Sequence, residues 1–380
     1  MQVELVDLPN IDSAQRDRWL ALFHAATDAR FFVHPHWLQC VASELMPAGL
    51  RVVFLYQEDT LSLVLPLCEA HGKTRRRHPA HDHLSLNDLL IHPNLAESPT
   101  QLHLAIECAL NEAGKGWWDW QISNVPHHSV LVQHLIERGN SNSTLNTGTE
   151  TGLNLDICTT SNDSANNWRM RISRQSASFD CTSEECPPHA KLKRNLRRLR
   201  NQLQDGATLS VETVTDKQAL ENAFDVFLET ESSGWKGNNA DATAIATDTA
   251  LTGFYRALLN SNSNDIEPVI NLLWRDQTCC AAQFGLRIGT RLSLLKIGYN
   301  EDYARYSPGY LLLESVLADA KENGIQTVSL VTSPPWADRW HPDKEPVWQI
   351  CRYNNNPFGT ALRQFDKFKD AAKSRIKSAA

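Results

Sequence analysis

An internal repeat constrains the fold of this chain more than any other feature, because one succession of elements occurs twice. Each copy consists of a strand–turn–strand hairpin, an apolar strand, an amphipathic helix that follows Ser-Pro, and a closing strand. The hairpins are predicted at 50–67 and 269–286, and the helices begin after Ser98-Pro99 and Ser307-Pro308. A repeated unit of this size predicts an α/β (α+β) protein with two similar halves.

The remaining elements complete the two copies. The apolar strands are predicted at 84–91 and 291–299, and periodic apolar residues predict further helices at Ala14–Ala26, Pro35–Leu45, Lys217–Thr230 and Thr249–Leu259. Between the halves lies Asn140–Pro188, which is rich in Ser, Thr and Asn; we expect one strand in it, Gly152–Ile157, and otherwise loops or partial disorder. With 380 residues, we expect two domains, 1–185 and 186–380.

Composition excludes several classes of protein. A hydrophobic fraction of 42% with 21% charged residues argues against wholesale disorder. No apolar run approaches the roughly 20 residues that a membrane-spanning helix needs, and no secretory signal is visible at Met1, so we expect a cytoplasmic protein without a membrane span. The nine cysteines include no CxxC pair, which is typical of reduced thiols.

A histidine-rich loop occupies the extra length of the first copy. His78, His81 and His83 lie with Asp82 within six residues, and such a set could bind zinc. The alternative is a polar loop that is structural or lines a substrate site, and Pro79 favours it because proline disfavours a regular element there. We therefore expect no metal.

The turn before the second repeated helix has the chemistry of a phosphate site. A helix N-terminus presents unbonded backbone N–H groups and the positive end of the helix dipole. Gly309 lets a diphosphate approach the backbone closely, and Arg305 can add a charged hydrogen bond. The first copy has Thr100 at the position of the glycine and no basic residue nearby, so its donor site is predicted to be degenerate.

Several motifs point to one family. They are Phe31–Trp37, Leu65–Leu67, the basic helix 191–200, Glu231–Gly237, and Tyr299 followed by Tyr306–Tyr310. With these motifs the chain resembles acyltransferases of the GNAT superfamily in the FemAB-like, CelD-like branch. The resemblance implies two tandem GNAT-like domains, each with a mixed, mostly antiparallel sheet flanked by helices. It also implies acyl transfer from coenzyme A, or another activated donor, to an amine or hydroxyl.

The resemblance also implies where the donor binds. The pantetheine would pair with the strand at Leu294–Gly298, and the diphosphate would lie at Ser307–Leu311. The implied donor-binding residues are Leu295, Ile297, Arg305, Ser307, Pro308, Gly309, Tyr310 and Leu311. By family analogy alone, the acceptor is a sugar or amino-sugar unit of an envelope or exopolysaccharide precursor.

One segment departs from the family pattern. Family members often end the next strand with an Asp, a glycine turn and Tyr-Lys-x-x-Trp, whereas this chain has Trp336 for the tyrosine and Ala337 for the lysine. A tyrosine there would be the natural proton donor to the departing thiolate. That donor is therefore missing from its expected place.

Direct acyl transfer needs a base and a proton donor. Glu231 is the candidate base, with a solvated helix-end carboxylate as the alternative, and Tyr310 is the candidate thiolate donor, with a helix-packing aromatic as the alternative. The substrate-binding candidates are Trp235, Lys236, Asp88, His83 and Trp336. For Asp88 the alternative is a structural hydrogen bond, since an unpaired buried carboxylate is costly. A core tryptophan and an exposed lysine are the alternatives for Trp235 and Lys236.

Two basic segments contrast with the net charge of −7. The helix 191–200 carries six Lys/Arg with leucines along one side; nucleic-acid binding, a solvated face, and attraction of an acyl carrier protein or anionic glycan all fit it. The solvated face is favoured, and overall acidity argues against nucleic acid. The C-terminal segment Ala361–Lys377 is also basic and helical, and we expect Phe365 and Phe368 to dock it, without a membrane anchor.

Three functions follow in order of preference. The first is an acyl-CoA-dependent N- or O-acyltransferase with a small-molecule or saccharide acceptor. The second is a transferase that takes its acyl group from aminoacyl-tRNA. The third is a non-catalytic binding or scaffold module, which the altered Trp336–Trp340 segment would suit.

Overall fold

The chain folds into two compact units, each with its own core. The computed structural model describes residues 1–26, 30–46, 49–70, 74–78, 84, 86–113, 117–140, 167–183, 186–233, 244–260 and 265–378. The first unit comprises Met1–Ala42, Met46–Arg174 and Pro346–Ala380, and the second comprises Ser43–Leu45 and Gln175–Glu345. These bounds differ from the predicted domains 1–185 and 186–380, because the last residues of the chain pack with the first unit.

The first unit contains a mixed sheet with helices. Its strands are β1 (Gln2–Asp7), β2 (Leu50–Gln57), β3 (Thr60–Ala70), β4 (Arg75–Arg77), β5 (Leu90–Ile91), β6 (Asp119–Pro126), the start of β7 (Trp168–Asp180) and most of β13 (Asp343–Tyr353). They are ordered β1–β2–β3–β4–β6–β13–β7, with β5 beside β3. Its helices are α1 (Ser13–Ala25), α2 (Pro35–Cys40), α3 (Pro93–Ala96), α4 (Pro99–Glu112), α5 (Val130–Asn140) and α10 (Pro357–Ser378).

The core of the first unit joins the predicted hairpin to helix α4. Strands β2 and β3 pair antiparallel with Val53 opposite Leu65, so alternate apolar side chains reach one face of the sheet. Leu102 and Ile106, four residues apart on α4, pack into the same core as these strand residues. The predicted hairpin and the helix that begins at Pro99 are therefore confirmed.

The second unit repeats this arrangement. Its strands are β8 (Leu209–Val214), β9 (Glu267–Arg275), β10 (Thr278–Ile288), β11 (Arg291–Tyr299), β12 (Thr327–Ser329) and the end of β7, in the order β7–β12–β11–β10–β9–β8. Only the β11–β12 pair among these described strands is parallel. Its helices are α6 (Ala190–Gln204), α7 (Lys217–Ser232), α8 (Thr249–Leu259) and α9 (Pro308–Glu322).

Helix α6 lies as its sequence predicts. Its four leucines at helical spacing are buried in the core of the second unit, and most of its basic side chains are exposed. The hairpin β9–β10 and the helix that begins at Pro308 are also confirmed.

Three expectations were wrong. Only Leu90–Ile91 of the segment 84–91 is a strand, because the Asp88 carboxylate binds the next backbone N–H, which favours a local turn. Strand β7 crosses a region where loops were expected; its Arg and Ser residues hide the alternation that buries Trp168, Met170 and Phe179. Phe365 and Phe368 do not dock helix α10, since they are 61% and 74% exposed. The predicted strand 152–157 lies outside the described residues.

Candidate functional site

A cavity of about 450 Å³ lies in the second unit, where strand β11 ends and helix α9 begins. The structure brings six of the predicted site residues to its wall: Glu231, Ile297, Ser307, Pro308, Gly309 and Tyr310, and a seventh, Trp336, completes the set. These residues come from helix α7, strand β11, the start of helix α9 with the residue before it, and the loop after β12. Their convergence makes this cavity the candidate site.

A larger groove elsewhere in the same unit has a different character. It measures about 740 Å³ and lies between α6, β8 and α9. Its wall carries the ion pair between Arg200 and Glu314, 2.7 Å apart, and none of the predicted catalytic, donor-binding or substrate-binding residues. Volume alone therefore does not identify the functional site. The smaller cavity is the candidate because it contains the predicted catalytic and donor-binding residues.

Strand β11 extends beyond its parallel neighbour and reaches the cavity. Its parallel partner β12 pairs only with Arg291–Ser293, so within the described residues the rest of β11 has no neighbouring strand on that side. On the other side, the register with β10 shifts so that Leu295 is an extra, bulged residue. A strand that extends past its neighbour can bind an extended ligand along that stretch.

The turn before α9 leaves a backbone N–H unbonded at the cavity wall. Ser307 has φ +52° and ψ +55°, a left-handed conformation that non-glycine residues seldom adopt. Pro308 has no N–H, and the Gly309 N–H has no acceptor within the described residues. A Cβ built on Gly309 would meet no atom within 4 Å, so the backbone there faces open space. These features suit an anion at a helix N-terminus.

Glu231 ends helix α7 in a buried position against strand β11. It is only 2% exposed, and its Oε2 accepts a hydrogen bond of 2.9 Å from the Ile245 N–H. Gly298 makes this approach possible, because a Cβ on Gly298 would lie 2.7 Å from the Glu231 Cα. A buried carboxylate held by a backbone donor on a cavity wall is suited to proton transfer.

Tyr310 and Trp336 form the aromatic side of the cavity. The Tyr310 hydroxyl donates a hydrogen bond of 3.0 Å to the Trp336 carbonyl oxygen. Burial raises the pKa of Tyr310, and the nearby Arg339 charge opposes that shift, so the phenol keeps its proton at neutral pH. Trp340, the last residue of the altered segment, is fully buried and packs edge-on against Tyr310, with ring centroids 5.7 Å apart.

Three of the implied donor residues do not line the cavity. Arg305 is exposed, and its guanidinium lies over the Tyr306 ring at 4.6 Å. Leu295 occupies the bulge of β11, and Leu311 is fully buried in the core. Arg305 remains next to the turn, so a role in binding phosphate stays a prediction.

The other substrate-binding candidates lie elsewhere. Asp88 belongs to the first unit, where Ser129 and the Leu89 N–H both bond its Oδ1 at 2.7 and 2.8 Å. Burial raises its pKa to about 6. This is the structural hydrogen bonding that was the alternative for Asp88. His83, Trp235 and Lys236 lie outside the described residues.

Four wall residues, Gly298, Tyr299, Ala304 and Arg339, are not among the predicted site residues, although Gly298 and Tyr299 lie in segments that sequence analysis singled out. A glycine inside a strand pattern signals a close approach of another backbone, so Gly298 could have been found. No pattern marks Arg339, because its position depends on how the loop after β12 folds. Among the described residues, no group of three or more His, Cys, Asp and Glu could hold a metal ion.

One family model matches the part of the chain that contains the cavity. Residues 190–340, which contain every wall residue named above, match the family model described as an acetyltransferase (GNAT) domain. No curated protein matches the chain.

The chain is also similar in fold to solved structures. One is FemX, with a TM-score of 0.57, 11% identity, and coverage of 96% of this chain and 100% of that chain. Another is L-PGS from Bacillus licheniformis, with a TM-score of 0.53, 11% identity, and coverage of 93% and 95%. A third is the C-terminal domain of a protein described as a lysylphosphatidylglycerol synthetase from Agrobacterium fabrum, with a TM-score of 0.52, 13% identity and the same coverage. At these identities the likeness concerns the fold.

Proposed function

We propose that this GNAT-type acyltransferase takes its acyl group from acyl-CoA and transfers it directly to an amine or hydroxyl. The observation that carries the proposal is that the part of β11 beyond β12 and the unbonded Gly309 N–H lie on one cavity. A small molecule or a saccharide precursor is the proposed acceptor, which rests on family resemblance.

The wall residues fit the two parts of such a donor. An extended pantetheine arm has amide groups that can pair with β11 beyond the end of β12, as an added strand would. Its diphosphate suits the N-terminus of α9, where the space above Gly309 forms a cradle that a side chain would fill. Ile297 and Tyr299 lie between these two places along the wall.

The chemical step assigns one proton transfer to each of two residues. The thioester supplies an activated acyl carbon. Glu231 accepts the proton of the acceptor amine or hydroxyl as that atom bonds to the acyl carbon. The carbon–sulfur bond then breaks, its electron pair stays on sulfur, and Tyr310 gives the thiolate a proton.

Tyr310 can donate a proton to the departing thiolate, which Trp336 cannot do. Its raised pKa keeps the hydroxyl protonated until the thiolate forms. To reach the sulfur, the hydroxyl exchanges its hydrogen bond with the Trp336 carbonyl for one to the leaving group. Trp336 itself has no O–H to donate.

Calorimetry with acetyl-CoA tests the donor. We expect binding by the wild-type protein and none by Gly309→Trp, whose indole would fill the cradle. Glu231→Gln and Tyr310→Phe should retain binding and lose turnover, because both keep the shape of the site. Failure of the protein to bind any acyl-CoA would contradict the proposal.

The exposed basic face of α6 favours a second candidate, aminoacyl transfer from charged tRNA. It predicts tRNA binding that weakens with salt and on neutralising Arg194, Arg197 and Arg198 together. Retained acyl-CoA binding without turnover over a panel of acceptors would instead favour a binding module.

A further inference from the structure

Helix α10 exposes an unusual amount of aromatic surface. Phe358, Phe365 and Phe368 are 61%, 61% and 74% exposed, and they form the largest group among the exposed large apolar side chains of the described residues. Only Phe358 has an aromatic neighbour, since it stacks on Trp118 at 5.1 Å. Phe365 and Phe368 therefore present a patch that the described part of the chain does not cover.

The opposite face of helix α10 packs against the rest of the first unit. Gly359 packs so closely that a Cβ there would lie 2.8 Å from the Trp118 carbonyl oxygen. Arg363 donates to the Asn167 side chain at 3.0 Å, and Asp366 accepts from the Tyr353 hydroxyl at 2.8 Å.

Helix geometry sets these two faces apart. Positions 359, 363 and 366 share one face of the helix. Each of positions 361, 365 and 368 follows one of these by two residues, which is a rotation of about 200° around the helix axis. The anchoring contacts thus fix the helix with its phenylalanines outward. The patch is part of the folded structure and does not result from a loose helix end.

The charge of the helix favours an anionic partner. Pro357–Ser378 contains six Lys/Arg and two Asp in a chain whose net charge is −7. Exposed Lys367 and Lys369 flank Phe368 at about 100° on either side of the helix, and their long stems can place the ammonium groups beside apolar surface. Aromatic residues with flanking lysines are typical of helices that lie on anionic bilayers.

We propose that helix α10 binds the surface of an anionic lipid bilayer, with Phe365 and Phe368 inserted at the headgroup boundary. This is peripheral binding. No described helix is long and apolar enough to cross a membrane. The proposal is independent of the donor and of the catalytic residues, which belong to the second unit.

Vesicle sedimentation of the full-length protein tests the proposal. We expect binding to vesicles of phosphatidylglycerol and phosphatidylcholine in equal parts, weaker binding at high salt, and little binding to phosphatidylcholine alone. The double variant Phe365→Ser/Phe368→Ser should lower partitioning at least about tenfold, and Lys367→Glu/Lys369→Glu should also weaken it. Leu104→Ser is the matched control, because Leu104 is a 55% exposed apolar residue on α4.

Several results would overturn the proposal. They are the absence of sedimentation with anionic vesicles, equal binding to neutral vesicles, or undiminished binding by the phenylalanine variant. A dimer that this variant dissociates, without vesicle binding by the wild type, would assign the patch to a second copy of the chain. Circular dichroism of each variant should match the wild type, since the replaced side chains are exposed.

Discussion

Replacing Gly309 with alanine should separate stability from donor binding. A Cβ at this position meets no atom within 4 Å, so the folded chain accommodates it without movement. Alanine is a better helix former than glycine by up to about 1 kcal/mol, and the first turn realises about half of that. For a unit of this size, such a gain raises the Tm by about 1–2 °C.

The same methyl group should weaken the donor complex. It occupies the cradle over the Gly309 N–H and separates that donor from the diphosphate oxygen. A hydrogen bond to a charged group contributes about 1.5–3 kcal/mol, so its loss weakens binding about 10- to 100-fold. Stability and affinity therefore move in opposite directions.

One preparation of each protein suffices for both measurements. Thermal denaturation and acetyl-CoA calorimetry are compared between Gly309→Ala and the wild type. Unchanged affinity would refute the assignment of the donor to this turn. A lower Tm would refute the reasoning that the space beside Gly309 is open.

Three further substitutions test other parts of the structure. Gly298→Ala places a Cβ 2.7 Å from the Glu231 Cα, so it should cost about 1–3 kcal/mol in urea unfolding and reduce turnover; an unaltered midpoint would contradict the packing. Glu231→Gln keeps an oxygen acceptor for the Ile245 N–H, and it should lower kcat about 100-fold or more with little change in donor affinity. A variant with the kcat of the wild type would show that Glu231 is not the base. Asp88 has a folded pKa of about 6, above its unfolded value near 4, so wild-type stability should fall as pH rises from 4 to 6. Asp88→Asn keeps the Oδ1 acceptor and should remove that slope in denaturation curves; an equal slope in both proteins would assign the titration elsewhere.

Local periodicity predicted the elements that bury an apolar face of their own. The hairpin β9–β10, the helix that begins at Pro308 and the leucines of α6 were recognisable because spacing alone reveals them. Strand β7 was not, since its Arg and Ser residues give no clear alternation and its place depends on β12 and β13.

The candidate site was predictable in composition but not in geometry. The Ser-Pro-Gly turn and Glu231 could be identified as separate signals, and the cavity contains both. The extension of β11 past β12 could not be predicted, because it depends on β12 stopping at Ser329. The left-handed backbone of Ser307 has no sequence signature either, as serine rarely adopts it.

The interrupted chain of the first unit has a consequence for the order of folding during synthesis. Strand β13 supplies the register partners of β6, so the sheet of the first unit stays incomplete until residues near the C-terminus emerge from the ribosome. The second unit needs only Ser43–Leu45 from outside Gln175–Glu345, and its chain is therefore complete earlier. A nascent chain that has emerged from the ribosome only as far as residue 345 would contain every wall residue of the candidate site while its first unit still lacks most of β13.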